Sequence, residues 1–140
     1  MRLDLYQAEC ERIAKDQISL LSEVKQRLAL SESLSRLEQN GVLHTLQILI
    51  ENAIGKCKHL LKSLDESIPV SAYDAFASLE RRGIITQQQL THWNAIIGMR
   101  NRIVHDYMNV DINIIYLLIT NNGHQMIGEF LCKPITTNCN

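Results

Sequence analysis

The chain has 140 residues, enough for one domain around a single hydrophobic core. Apolar residues make up 46% and net charge is −1, so no global basic field exists to draw in nucleic acid, and any RNA binding must come from a local patch or from a groove built by two copies. No apolar run approaches the roughly 20 residues that span a bilayer. Met1-Arg2-Leu3-Asp4 leads straight into charged amphipathic sequence without a signal-peptide pattern, and the expected setting is cytoplasmic.

Residues 4–30 predict one long amphipathic helix. Tyr6, Cys10, Ile13, Leu20, Val24 and Leu28 recur at three- and four-residue steps, with Leu21 alongside. Ser31-Glu32-Ser33 reads as a break, with Ser33 as the expected cap of the next helix, because a serine oxygen can accept a free first-turn N–H. A second long helix is expected over 34–64, carried by Leu43, Leu46, Ile50, Ala53, Cys57, Leu60 and Leu64 and weakened near Gly41. Pro69 marks a connector, Ser71 caps a short helix to Arg82, Gly83 stops it, and Thr86 starts a further helix. Residues 111–119 are rich in β-branched side chains but have no partner strand elsewhere, so helix is expected there, with Asp111 as its cap. Asn121-Asn122-Gly123 reads as a break. The fold expected is all-α: an antiparallel bundle of four main helices plus a short one. One domain is expected over 1–133, followed by a flexible tail over 134–140.

The four cysteines, Cys10, Cys57, Cys132 and Cys139, show no C-x-x-C spacing. Cys10 and Cys57 fall on apolar stripes and read as buried thiols, whereas Cys139 is expected to be exposed. His44, His59, His92 and His124 share no ligand spacing. Neither a metal nor a cofactor is expected.

The chemistry concentrates in Arg100-Asn101-Arg102-Ile103-Val104-His105-Asp106-Tyr107. A histidine can move a proton near neutral pH, and an arginine can hold a phosphate and stabilise the charge that develops on it. RNA brings its own nucleophile, the ribose 2′-hydroxyl. On a continuous helix Asn101 and His105 lie one turn apart, Arg102 and Asp106 form an i, i+4 pair, and Arg100 and Tyr107 are nearly in line. Arg100 and His105 are about 140° apart on such a helix, so they must converge on a substrate or act across a dimer axis. The same residues also suit a solvated, salt-bridged face with a structural histidine. Arg102 can bind RNA phosphates, and Arg81 and Arg82 are weaker candidates, equally explained as a solvated helix end. Glu51 and Asn52 could face the cleft or solvent. Trp93 reads as core or dimer interface.

The Arg-x4-His-x-Tyr spacing at Arg100, His105 and Tyr107 resembles the signature of HEPN-domain proteins, and more narrowly of the HepT toxins. That resemblance implies a HEPN-like bundle that dimerises with two motif copies facing one cleft. It implies a metal-independent endoribonuclease leaving a 2′,3′-cyclic phosphate, with Arg100 and His105 catalytic and Asn101 in support. It also implies a partner, an MntA-like minimal nucleotidyltransferase antitoxin that transfers AMP to Tyr107, in a complex that can be of higher order than the homodimer. The alternative is a non-catalytic HEPN subunit that binds a nucleotidyltransferase.

Overall fold

A computed structural model describes residues 3–135; the expected tail from 136 onward, Cys139 included, lies outside them. Six α-helices and one 3-10 turn form the described part, and it contains no strand. They are α1 (Leu3–Ala29), α2 (Arg36–Ser63), α3 (Ala72–Arg81), α4 (Gln87–His105), the turn Tyr107–Asn109, α5 (Ile112–Thr120) and α6 (Gly123–Cys132). The fourth main helix is thus divided in two, because Asn122 adopts a left-handed conformation with φ of 63° just where the break was expected.

Helices α1 and α2 form an antiparallel hairpin across a short connection. The second helix starts later than expected. Ser35, rather than Ser33, is its cap: Ser35 Oγ accepts from Glu38 N at 3.1 Å while Ser35 N donates to Glu38 Oε1 at 2.9 Å. Glu38 also binds the Arg27 guanidinium, and that contact holds its carboxyl down to about 2. Gly41 does not interrupt α2, which continues unbroken past it. On α1 Gln7, Cys10, Ala14 and Leu21 are buried, Tyr6, Val24 and Leu28 of the expected stripe pack against the same core, and Leu20 points outward. Gln7 is held inside by one bond, its Nε2 donating to Leu131 O at 3.0 Å, while its Oε1 has no partner.

Helix α2 is the centre of the bundle and touches α1, α3, α4 and α6. Leu46, Leu49, Ile50, Ala53, Cys57 and Leu61 on it are fully buried. Burial pushes the Cys57 thiol up to about 12, so it stays protonated. Lys56 is buried as well. Its ammonium donates to Phe130 O at 2.7 Å, to Leu131 O at 3.1 Å and to Lys133 O, tying the end of α6 to α2. Burial pushes this lysine down to about 8, while three carbonyl acceptors call for all three of its hydrogens.

The short helix α3 is capped by Ser71 and ends before Gly83, whose φ is +75°. Its Phe76 stacks on Trp93 of α4, with ring centroids 4.4 Å apart, and Phe130 of α6 meets the same tryptophan at 5.0 Å. Trp93 is therefore core. These rings lock the first half of α4 to the body, and the rest of α4 projects from there toward the motif.

Candidate active site

Helix α4 begins with a full capping box: Thr86 Oγ1 accepts from Gln89 N at 3.1 Å, and Thr86 N donates to Gln89 Oε1 at 2.8 Å. Its buried face is Trp93, Ile96, Ile97 and Ile103. The last of these sits inside the motif. It fixes the rotation of the final turns, so that the neighbouring polar residues turn away from the core.

The helix ends at His105. Asp106 leaves helical geometry with φ −142° and ψ 45°, and its N–H still closes on Arg102 O at 2.8 Å. The Asp106 carboxylate accepts from Asn109 Nδ2 at 2.7 Å and braces the 3-10 turn. The i, i+4 pair expected between Arg102 and Asp106 is absent among the described residues, because the chain has already turned. For the same reason Tyr107 is not in line with Arg100. Asp111 then caps α5 by accepting from Asn113 N at 3.0 Å, as expected.

Asn101 and His105 remain one turn apart on α4. The His105 ring is exposed and makes no hydrogen bond or ion pair with any described residue. Arg100 is half-buried, and its Nε is shut off from solvent without a hydrogen-bond partner. Its terminal nitrogens bond to no described residue either, and they are the donors that an oxyanion from solvent can reach. Arg102 is exposed beside it. Tyr107 is 40% exposed, and its hydroxyl donates to Asn40 Oδ1 of α2.

The other candidates lie elsewhere. Arg82 pairs with Glu66 at 2.8 Å and donates to Leu64 O at 3.2 Å, and Arg81 donates to Ser78 Oγ at 2.8 Å. Both sit before the start of α4, about 27 Å of helix away from His105. Glu51 is exposed and accepts from Gln47 at 2.9 Å. Asn52 faces α1, donating to Cys10 O at 3.5 Å, which is a packing contact. Among the described residues no group of three or more His, Cys, Asp or Glu is placed to hold a metal ion, and no helix is long and apolar enough to cross a membrane.

Asn40 is the site residue that sequence reasoning missed. It is 67 positions from Tyr107, and only the packing of α2 beside the turn after α4 brings them together. A polar residue beside Gly41 on an exposed helix face carries no signal of its own.

Comparison with known proteins shows the family of the chain. A family model described as "Ribonuclease HepT-like" matches residues 14–131. The chain belongs to the HepT-like ribonuclease family. It is 31% identical over 77 residues to the mRNA nuclease HepT of Shewanella oneidensis, covering 55% of this chain and 58% of that protein. It is 28% identical over 96 residues to the tRNA nuclease HepT of Aphanizomenon flos-aquae, covering 68% of this chain and 65% of that one. The matches therefore span less than two thirds of either relative. A crystal structure of a toxin–antitoxin with AMP-PNP shares the fold, with a TM-score of 0.76 over 90% of this chain and 97% of that chain at 20% identity.

Proposed function

We propose that this chain is the toxin of a toxin–antitoxin pair and an endoribonuclease that cuts RNA without a metal. The observation that carries the reading is the presence, on the last two turns of α4, of a solvent-facing His105 and a half-buried Arg100, neither bonded to a described residue. Membership of the HepT-like ribonuclease family supports it, and so do relatives described as mRNA and tRNA nucleases.

In the proposed reaction a neutral His105 removes the proton of the ribose 2′-hydroxyl, and the oxygen attacks the adjacent phosphorus. Arg100 neutralises the charge gathering on the phosphoryl oxygens. Asn101, one turn from His105, orients the imidazole or holds a phosphate oxygen. The 5′-oxygen leaves with a proton from solvent, His105 returns its proton to solvent, and a 2′,3′-cyclic phosphate remains. Arg102 holds the RNA backbone.

A homodimer completes the proposal. Arg100 and His105 point about 140° apart on one helix, so two copies facing each other would supply both groups to one strand. Exposed apolar side chains surround the motif: Met108 is 80% exposed, Leu37 81% and Val104 40%. A second copy would cover them.

Tyr107 is the proposed acceptor of AMP from an MntA-like nucleotidyltransferase antitoxin in a cytoplasmic complex. Its partial exposure fits that role. The added phosphate would set negative charge beside Arg100 and His105 and exclude RNA.

The test is the chemistry of the cut ends. RNA treated with the purified chain is expected to carry 2′,3′-cyclic phosphates, and a substrate with 2′-deoxyribose at the cleaved position is expected to stay intact. Cleavage of the deoxy substrate at an equal rate would overturn the mechanism.

A further inference from the structure

Of the motif side chains, only that of Tyr107 hydrogen-bonds to another long helix among the described residues. A phenol has one hydrogen and two lone pairs. Donation to Asn40 Oδ1 uses the hydrogen and leaves the lone pairs available to an electrophile arriving from solvent.

Both partners are braced. Asn40 lies in the second turn of α2, whose start is held by the Ser35–Glu38 box and by Arg27 on Glu38. Tyr107 sits in the turn closed by Asn109 on Asp106. The phenol oxygen is therefore fixed from two sides. An amide oxygen is too weak a base to take the phenol's proton, so Asn40 orients the group and does not activate it.

We propose that Asn40 is a positioning residue for nucleotidyl transfer to Tyr107, a role that rests on the reading of Tyr107 as the AMP acceptor. In that step the Tyr107 oxygen attacks the α-phosphorus of ATP held by the transferase. The new O–P bond forms as the bond from that phosphorus to the bridging oxygen breaks, and pyrophosphate leaves. The phenol proton passes to solvent. The product oxygen has no hydrogen left to donate, so modification also releases the turn from α2.

The experiment measures AMP incorporation by intact mass with the cognate nucleotidyltransferase, ATP and Mg2+, using the whole chain. Wild type is compared with N40A, N40D and Y107F, each checked for native circular dichroism. N40A is expected to lower kcat for incorporation about tenfold, the value of one lost hydrogen bond, with KM for the chain unchanged. N40D keeps an acceptor oxygen at the same place, a stronger one, and is expected to take up AMP at least as fast as wild type. Y107F is expected to take up no AMP. An N40A variant labelled at the wild-type rate would overturn the positioning role and leave Tyr107 as acceptor. Equal losses in N40A and N40D would overturn it too, because a merely structural defect does not distinguish acceptors. Labelled Y107F, or unlabelled wild type, would overturn the acceptor reading and this role with it.

Discussion

The two ends of α4 are opposites built into one continuous helix. At the Thr86 end every feature is structural: a capping box, a tryptophan between two phenylalanines, and nearby arginines tied to a carboxylate, a hydroxyl and a carbonyl. At the other end Ile103 alone of the motif side chains is buried, the His105 ring is unbonded and Arg100 has an idle donor. A buried polar group without a partner costs stability. The anchored end makes this affordable by fixing the helix without any help from the motif.

Substitutions should therefore separate the two ends. The largest effect is expected at the motif: Arg100→Ala or His105→Ala should slow RNA cleavage by about a thousandfold. Thermal stability of His105→Ala should stay within about 0.5 kcal/mol of wild type, as for exposed changes elsewhere, and that of the half-buried Arg100→Ala within about 1 kcal/mol. Parallel cleavage rates and melting curves check both halves of the claim. Trp93→Ala should do the reverse. It removes the ring that joins α3, α4 and α6, and an urea titration should show a loss of about 3–5 kcal/mol.

A smaller effect is expected from pH. His124 is fully buried on α6 with neither ring nitrogen bonded, and burial, with a lesser push from Lys25, holds it below its ordinary value of 6.5. The folded chain keeps it neutral, whereas the unfolded chain takes up a proton as pH falls through 6.5. This contribution is therefore complete above 6.5 and is lost progressively below it. His124→Leu should flatten the fall in melting temperature between neutral and mildly acidic pH; an unchanged slope would remove His124 from the account. The smallest effect is expected at the base of α4, where Arg82→Ala breaks a half-exposed pair with Glu66 and should cost less than about 1 kcal/mol in the same urea assay.

Much of this contrast was legible in the residues. The helices, the caps at Ser71, Thr86 and Asp111 and the break at Asn122 follow from local chemistry, and the structure has them where that chemistry puts them. Local chemistry also misled where two residues could do one job. Ser33 and Ser35 are equally good caps, and the choice fell to Ser35 because Glu38 lies three positions beyond it. Leu20 belongs to an apolar pattern yet faces outward, because Leu21 beside it takes the buried place on that turn. The motif was visible as a string of reactive side chains at a helix end, but the stop of α4 at His105, inside the motif, was not. That stop is set by the turn Asp106 makes with Asn109, and it moves Tyr107 off the helix toward Asn40. No local pattern encodes a contact between residues so far apart.

The central claim is that the free end of α4 cuts RNA. It is tested most directly by incubating RNA with wild type, Arg100→Ala and His105→Ala in EDTA, using protein free of added AMP and shown to be folded. The account predicts cleavage by wild type and its loss in both variants. Folded wild type that leaves RNA intact, or variants that cut as fast as wild type, would contradict it; intact RNA together with a stable nucleotidyltransferase complex would instead mark a binding subunit.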